Sequence, residues 1–343
     1  MLRRPPYVAV SAVLALLVLF MGALALYGAF STVIRTEQPL AIQVRPGETL
    51  SQLTYRLAAQ GILQRPRLFT ALGILRGDSA NIKAGEYVVD GSVSPFELLD
   101  SLVSGRARFV SLTVPEGFSL AEIAARVEAR ELGQAERFLT LARDPDFIAS
   151  LALPITPTPP TLEGFLYPET YYFHRGVGAG ALITAMVEEF RRRAADDLRE
   201  RAARVGMTPY QALVLASMVE KETGVGEERP LISAVFHNRL RARMRLASDP
   251  TVIYGLAEFD GNLRRADLLA ETPYNTYKIT GLPPTPIANP GLDSIRAALE
   301  PARVEYLYFV AKGDGTHEFS KDYRSHRGAV YKYQIRPHRK RSS

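Results

Sequence analysis

The sequence predicts an α+β protein with a single N-terminal transmembrane helix, a small α+β module and a larger α+β domain. Three observations support this prediction: an uncharged apolar run near the N-terminus, a strand–turn–helix pattern that occurs twice, and a C-terminal half that mixes helical and strand patterns. The chain has 343 residues. That length suffices for an anchor and two domains, because soluble domains usually hold about 100 to 200 residues.

Residues 7–30, "YVAVSAVLALLVLFMGALALYGAF", are the predicted transmembrane helix. A run of about 24 uncharged residues can cross a bilayer, whereas the apolar region of a cleavable signal peptide is usually only about 7 to 15 residues long. Arg3 and Arg4 precede the run and favour a cytoplasmic N-terminus, although Arg35 beyond it weakens this asymmetry. We therefore expect a cytoplasmic stub over residues 1–6 and the bulk of the chain outside, in a bacterium in the periplasm or cell wall.

Residues 40–150 are the predicted small module. The stretch 44–69 indicates a strand end, a Pro-Gly turn and an amphipathic helix, and the stretch 114–139 repeats this pattern. Between them, residues 83–105 indicate a strand, a turn and a helix capped by Ser94. The matching positions of the two copies are Val44, Gly47, Leu50, Leu53, Arg56 and Leu57, and then Val114, Gly117, Leu120, Ile123, Arg126 and Val127. Two copies are too few for a solenoid.

Residues 151–335 are the predicted larger domain, and residues 336–343 are a basic tail. The Pro/Thr stretch "PITPTPPT" marks the boundary as a stiff linker or surface loop. The predicted elements beyond it are a strand in "ETYYF", helices near 179–205, 209–223 and 230–243, and a hairpin that turns at residues 313–315.

The composition excludes several classes of chemistry. The chain has 0 cysteines, so disulfides, thiolate catalysis and cysteine-ligated metals are excluded. The 42 basic and 36 acidic residues give a formal net charge of +6, which favours anionic surfaces or polymers but does not by itself indicate nucleic acid. We therefore predict no nucleic-acid partner.

The stretch "LVLASMVEKETG", residues 213–224, ends an apolar helical run with two glutamates and a lysine. A helix advances about 100° per residue, which places Glu222 within about 60° of Leu215, Met218 and Val219. A carboxyl group on such an apolar face loses solvation, and this raises its pKa toward the range that a general acid needs. Glu222 is therefore the candidate catalytic residue.

The same helical period separates Glu220 and Lys221 from Glu222. They lie about 160° and about 100° away from it, so we expect both on the wetter side of the helix. The alternative for Glu222 is that it leaves the core at the end of the helix and pairs with Arg239 or Arg245, because structural ion pairs also perturb carboxyl groups.

Several segments combine planar aromatic rings, which can stack on sugars, with short polar side chains that bind hydroxyl groups. Each of them has an alternative interpretation as a turn or cap, as with Asp249 and Asn289, which both precede a proline. Their abundance in one half of the chain favours a polar cleft. The segments are "LEGFLYPETYYF", "FHNRL", "SDPTVIYG", "YNTYKITGLPPTPIANPG" and "HEFS".

Three other motifs are weaker. "GVGAGA" fits a dinucleotide-binding loop, but no second parallel strand follows its helix. Ser217 and Lys221 lack the S-x-x-K spacing of a serine–lysine dyad. His317, Glu318 and His326 lack any standard zinc spacing. We predict no metal site and no cofactor.

Five ordered motifs resemble the endolytic murein transglycosylase (MltG, YceG-like) family. They are "LASMVEKETG", "FHNRL", "MRLASDPTVIYG", "YNTYKITGLPPTPIANPG" and "YLYFVAKGDGTHEF". The resemblance spans residues 40–333, and its N-terminal part is similar to that family's LysM-like module. It implies a single-pass enzyme of the bacterial inner membrane, with a cytoplasmic N-terminus and a periplasmic catalytic domain.

By this resemblance, the enzyme cuts nascent peptidoglycan strands internally at the MurNAc–GlcNAc bond, leaves 1,6-anhydro-MurNAc ends and terminates strand elongation. The family's catalytic glutamate is the second one in "EKET", which is Glu222 here. The implied partners are glycan strands and the inner membrane, with membrane-bound peptidoglycan synthases as further candidates.

A lytic transglycosylase needs one carboxylic acid, which protonates the glycosidic oxygen and then takes the proton of the C6 hydroxyl that attacks C1. A muramidase needs a second carboxylate about 5 to 9.5 Å away, and Glu163, Glu169 and Asp249 are available, so hydrolysis stays open. The residues predicted to bind sugar are Glu163 as an electrostatic helper, Asn238, Asp249, Tyr254, Asn275 and Tyr277.

A noncatalytic wall-binding anchor is the alternative from another class. In that hypothesis the duplicated module holds glycan and the C-terminal half docks synthesis enzymes, which predicts saturable glycan binding without products.

Overall fold

The computed structural model of the protein describes residues 34–35, 40–89, 92–105, 110–153, 155–156, 158–173 and 177–336. These residues contain both helices and strands, which confirms the predicted α+β class. The predicted transmembrane run over residues 7–30 lies outside them. Among the helices of the described ranges, none combines the length and the apolar character that crossing a membrane requires.

The described residues fall into two compact units. The first contains those up to Val110 together with Tyr172 and Phe173, and the second contains residues 111–171 and 177–336. The domain boundary predicted near residue 151 stays a prediction.

In the first unit, β2 pairs antiparallel with β3, and β1 pairs antiparallel with β4. The helices cover these ribbons and bury one apolar core with them. The elements are β1 (Ile34–Arg35), β2 (Leu40–Val44), α1 (Leu50–Ala59), α2 (Pro66–Leu75), β3 (Gly85–Val89), β4 (Ser92–Val93) and α3 (Pro95–Ser104). The core residues include Ile42, Val44, Leu50, Leu53, Leu57, Phe69, Tyr87, Leu98, Leu99 and Leu102.

The second unit is mainly helical. Two of its strands, β7 and β8, form a two-stranded sheet. The elements from residue 110 onward are β5 (Val110–Thr113), α4 (Leu120–Ala129), α5 (Ala135–Leu141), α6 (Pro145–Ser150), β6 (Thr170–Phe173), α7 (Ala179–Phe190), α8 (Asp196–Arg201), α9 (Pro209–Glu222), α10 (Arg229–Arg241), α11 (Asp249–Gly255), α12 (Arg265–Leu269), α13 (Leu292–Leu299), β7 (Tyr308–Ala311), β8 (His317–Ser320) and α14 (Tyr323–Val330).

The predicted long helix over 179–205 is continuous but irregular, because a π-helical turn over Arg191–Ala195 precedes α8 and a 3₁₀ turn over Ala202–Val205 follows it. The predicted hairpin is confirmed, since β7 and β8 pair antiparallel on either side of residues 313–315.

The two strand–turn–helix copies fold alike, one in each unit. Gly47 and Gly117 have φ angles of +76° and +77°, a conformation that glycine adopts at little cost. Both helices begin at a hydroxyl N-cap that forms a reciprocal capping box. The Arg56 guanidinium donates to the carbonyl of Gln43 in the strand before its turn. In the second copy, Arg126 Nη1 donates to the carbonyl of Thr113 at 2.8 Å.

The middle of helix α9 is buried on all sides, with every residue from 212 to 219 buried. Helix α13 packs against it. The Glu220 side chain is 7% exposed, accepts a bond from Gly291 N at 3.0 Å and lies 3.6 Å from Arg229. The prediction that Glu220 lies on a wet side is therefore wrong, because a second helical layer covers that side. Lys221 is exposed as predicted.

Candidate active site

Glu222 is the last residue of α9. Thr223 has an extended backbone, with φ of −146°, so the helix ends there. Glu222 remains partly exposed, whereas the eight residues before Glu220 are fully enclosed. Its Oε1 accepts a hydrogen bond from Ser248 Oγ at 2.5 Å. The carboxyl group thus lies at the edge of the core with one oxygen held by the protein.

Ser248 is fixed in position by two threonines. Its backbone N–H donates to Thr276 Oγ1 at 2.9 Å, and its carbonyl accepts from Thr251 Oγ1 at 2.7 Å. Although Ser248 occupies the N-cap of α11, its side chain does not cap that helix and is directed to Glu222 instead. Ser248 was not among the predicted site residues, because a serine just before a helix is typical of an N-cap.

The protein environment raises the pKa of Glu222 to about 7. Burial of the carboxyl group is the main cause, because it disfavours the charged form. The hydrogen bond from Ser248 opposes this rise, the negative charge of Asp249 adds to it, and the positive charge of Arg239 opposes it. A substantial fraction of Glu222 is therefore protonated at neutral pH.

Asp249 and Tyr277 form a second polar pair beside Glu222. Tyr277 OH donates to Asp249 Oδ1 at 2.7 Å, and Asp249 is exposed in the first turn of α11. Burial is the main cause that raises the pKa of Tyr277, so its hydroxyl stays a proton donor. Asn275 is fully buried, and its Oδ1 accepts a hydrogen bond from Tyr277 N at 3.0 Å, which fixes the backbone of Tyr277.

Arg239 on α10 joins two loops near this pair. Its Nε donates to Leu307 O at 2.7 Å and its Nη1 donates to Leu246 O at 2.6 Å, two residues before Ser248. Within the ranges that the structure describes, Glu222 forms no salt bridge with an arginine. The alternative interpretation, in which Glu222 is ion-paired with Arg239, is therefore wrong. Arg239 lowers the pKa of Glu222 only through its positive charge.

The amide of Asn238 binds the loop before β7. Its Nδ2 donates to Val304 O at 2.9 Å and to Tyr306 O at 2.8 Å. The amide of Asn275 likewise donates to backbone carbonyls, those of Leu268 at 3.1 Å and Ala270 at 2.6 Å. Both side chains thus hold loops in place, and their predicted contact with sugar stays a prediction.

Glu163 forms a separate, saturated cluster. Its side chain is 1% exposed, and its two oxygens accept from Leu120 N at 3.0 and 3.1 Å. Asn289 Nδ2 donates to Oε1 at 3.0 Å, and Tyr254 OH donates to Oε2 at 2.9 Å. Burial is the main cause that raises the pKa of Glu163 to about 7, against the bonds from Leu120 and Tyr254.

The structure thus sorts the predicted site residues into two groups. Glu222, Asp249 and Tyr277 lie together, and Glu163 and Tyr254 lie together. Helix α11 belongs to both groups, because it begins at Asp249 and carries Tyr254 near its end.

The weaker motifs have structural partners. Ser217 Oγ donates to Val214 O at 2.7 Å, and Lys221 Nζ donates to Gly117 O at 3.2 Å, so they do not form a dyad. His317 Nδ1 lies 2.7 Å from Glu228 Oε2. In the described part of the chain, no three acidic or histidine side chains are grouped as a metal site.

Comparisons with known proteins agree on one family. A model described as the YceG-like family matches residues 42–332. The endolytic murein transglycosylase of Bacillus subtilis (strain 168) is 31% identical over 304 residues, which cover 85% of this chain and 84% of that protein.

Two further relatives extend this comparison. The endolytic murein transglycosylase of Streptococcus pneumoniae serotype 2 (strain D39) is 28% identical over 299 residues, and the match covers 79% of this chain but only 54% of that protein. A crystal structure of a YceG-like protein from Listeria monocytogenes has a TM-score of 0.60 at 32% identity, covering 85% of this chain and 99% of that one.

Proposed function

The chain belongs to the YceG-like family, and on that premise we propose that Glu222 is the acid and base of its reaction. The family expected from the sequence motifs is confirmed. Relatives named endolytic murein transglycosylase match most of the chain, so the protein is an enzyme, a peptidoglycan lytic transglycosylase. The observation that supports Glu222 is a carboxyl group with a pKa of about 7 on a partly exposed residue, with Oε1 bound by Ser248.

The first step is proton donation from Glu222. Ser248 holds Oε1, which leaves Oε2 to carry the acidic proton to the glycosidic oxygen of the MurNAc–GlcNAc bond. As the bond between C1 and that oxygen breaks, positive charge develops at C1 of MurNAc. A general acid is most effective when its pKa lies near the working pH, as it does here.

The second step closes the sugar on itself. The C6 hydroxyl of MurNAc attacks C1, and the Glu222 carboxylate takes the proton of that hydroxyl. The products are a 1,6-anhydro-MurNAc end and a free GlcNAc end, with no water consumed. Glu222 finishes protonated and is ready for the next strand.

Asp249 and Tyr277 are proposed to contact the sugar at this site. Asp249 is exposed, and its negative charge raises the pKa of Glu222 and favours the positive charge that develops at C1. Tyr277 offers a protonated hydroxyl and a ring edge at the same place. The contacts of the other predicted residues favour positioning roles. These residues are Glu163, Asn238, Tyr254 and Asn275.

Hydrolysis is the second candidate reaction, because Asp249 supplies a carboxylate beside Glu222 that could activate water. Digestion of purified peptidoglycan followed by mass spectrometry separates the two. Lytic transglycosylation gives anhydro ends, each lighter by one water than a hydrolysis product. Hydrated ends alone would overturn the proposed reaction, and saturable glycan binding without any new ends would favour the wall-binding anchor.

The placement of the enzyme follows from its substrate. Peptidoglycan lies outside the cytoplasmic membrane, so the catalytic residues must lie there too. We propose that residues 7–30 form a single inner-membrane anchor with the N-terminus in the cytoplasm, that a LysM-like module over residues 40–150 follows in the periplasm, and that membrane-bound peptidoglycan synthases are partners.

The absence of cysteine makes this topology easy to test, since a single introduced cysteine is the only thiol in the chain. In intact cells, Ser342→Cys should react with a membrane-impermeant maleimide and Leu2→Cys should not. Labelling of Leu2→Cys in intact cells would contradict the proposed orientation.

A further inference from the structure

Tyr308, Tyr323 and His326 form an aromatic cluster in the second unit. The rings of Tyr308 and His326 are stacked, with centroids 5.1 Å apart and planes 22° apart. The Tyr323 ring lies 5.9 Å from that of Tyr308 and 6.3 Å from that of His326. Tyr323 is 60% exposed, although a side chain of this size is usually covered. The aromatic cluster therefore presents ring surface to solvent.

Rigid elements hold the aromatic cluster in place. Tyr308 is on β7, where it faces Ser320 of the paired strand β8. Tyr323 begins α14, whose N-cap is Asp322, and Ser325 donates to this cap from N at 2.9 Å and from Oγ at 2.8 Å. Rings on such elements lose little freedom when a ligand binds, which is the usual condition for a preformed binding surface.

Arg239 connects the aromatic cluster to Glu222. Its guanidinium lies over the Tyr308 ring, 5.4 Å from the centroid, and binds Leu307 O on one side and Leu246 O on the other. Leu246 lies two residues before Ser248, which holds the Glu222 carboxyl group. Arg239 therefore contacts both the aromatic cluster and the loop that carries Ser248.

The chemistry of the aromatic cluster suits a neutral ring ligand. His326 Nδ1 is buried and has no hydrogen-bond partner within the described residues. Burial is the main cause that lowers the pKa of His326, and the charge of Arg239 adds to it, so the imidazole stays neutral at neutral pH. Aromatic faces carry partial negative charge, and the C–H face of a pyranose carries partial positive charge, so the two stack.

We propose that the aromatic cluster is a sugar-binding subsite that receives a pyranose ring of the glycan strand beyond the bond cut at Glu222. This subsite rests on the proposed function, since it assumes that a glycan strand occupies the Glu222 cleft. The subsite binds a sugar that is far along the strand from the reacting bond. It therefore favours the binding of long strands over that of short fragments.

Binding of peptide-free glycan strands to the full chain tests the subsite. The background is Glu222→Gln, so that strands are bound without being cut. In that background we compare Tyr323→Ala with Tyr323→Phe, which keeps the ring. Tyr331→Ala is the matched control, because Tyr331 is 51% exposed in the turn that follows α14 but is outside the aromatic cluster.

The subsite predicts that Tyr323→Ala raises Kd about fivefold, a loss typical of one aromatic stacking contact. Tyr323→Phe and Tyr331→Ala should bind as the background does, and all variants should keep its unfolding midpoint. Equal Kd values for Tyr323→Ala and the background would overturn the subsite alone. If the Glu222→Gln background binds no strands, the proposed function itself fails, and the subsite fails with it.

Discussion

Glu163 and Glu222 are two glutamates of one unit whose pKa values are both raised to about 7, yet their surroundings differ. Glu163 is 1% exposed, and three groups donate hydrogen bonds to its two oxygens. Glu222 is partly exposed and, among the described residues, receives one hydrogen bond, from Ser248. A raised pKa therefore shows that a carboxyl group is desolvated. Such a group can exchange a proton with a substrate only if one of its oxygens is accessible and free of hydrogen bonds within the protein.

The two glutamates also differ in the helix end that they meet, because Glu163 lies at a helix N-terminus and Glu222 at a helix C-terminus. Glu163 accepts from the N–H of Leu120, the first residue of α4, where the helix dipole favours negative charge. Glu222 is the last residue of α9, where the dipole disfavours negative charge. The two helix dipoles thus act in opposite directions, toward the charged form at Glu163 and toward the protonated form at Glu222, while burial raises the pKa of both.

The largest expected effect is on activity in Glu222→Gln. Gln keeps the shape of the side chain but cannot donate an acidic proton, so the rate of anhydro-end formation should fall by about 10³-fold. Initial rates on purified peptidoglycan measure this effect. The exposed Glu227 supplies the control, and Glu227→Gln should keep the wild-type rate. A Glu222→Gln enzyme with full activity would remove Glu222 from the mechanism.

The second effect is on stability, in Glu163→Ala. Removal of the carboxyl group leaves Leu120 N, Asn289 Nδ2 and Tyr254 OH without their acceptor, and we expect the free energy of unfolding to fall by about 3 kcal/mol. Urea unfolding measures the loss. Glu222→Gln, by contrast, should stay within about 1 kcal/mol of wild type, and an equal loss in both variants would abolish the distinction between the two glutamates.

The stability difference should also depend on pH. The pKa of Glu163 is about 7 in the folded protein and 4.5 as its ordinary value, so its contribution to stability is complete below pH 4.5 and is lost as pH rises through 7. The gap between wild type and Glu163→Ala should therefore be wider at the acidic end of this window. A gap that grows with pH would contradict the raised pKa.

A smaller effect is expected in Ser248→Ala. The bond from Ser248 favours the charged carboxylate, so its loss should raise the pKa of Glu222 by about 1 unit and lower the rate about tenfold through lost positioning. A pH profile of the rate measures both changes. The same profile from Ser150→Ala, an exposed serine of α6, should match wild type. A profile that moves to lower pH would contradict this role of Ser248.

The smallest effect is expected in Tyr277→Phe. The variant keeps the ring but loses the bond to Asp249, which leaves that carboxylate more mobile beside Glu222, and kcat/KM should fall about threefold. Tyr274→Phe is the matched control from the same segment, because the Tyr274 hydroxyl lies 2.9 Å from that of Thr285 instead. Equal losses in both variants would show that the Asp249 bond has no specific role.

Local patterns in the sequence predicted much of the fold. The period of the leucines, the turn glycines and the hydroxyl caps specify both strand–turn–helix copies, because these signals lie within about one helix length of each other. The helical period made Glu222 the candidate acid on the expectation of one dry and one wet face of α9, whereas α13 encloses the other side of α9, including Glu220.

The partners of the site could not be predicted, because they are distant in sequence. Ser248 meets Glu222 across 26 positions, and Asn289 meets Glu163 across 126. Asn238 and Asn275 carry side chains typical of sugar binding, yet their amides donate to backbone carbonyls of nearby loops. A residue type shows what a side chain is able to bind, and only the tertiary structure shows which partner it has.

The pH dependence of kcat/KM, measured for wild type and for Glu163→Gln at a temperature at which both are folded, tests the central claim most directly. If Glu222 is the acid, the rate should fall as pH rises through about 7 in both proteins, because each must keep Glu222 protonated to cut. Loss of this limb in Glu163→Gln would assign the titrating acid to Glu163 and contradict the account.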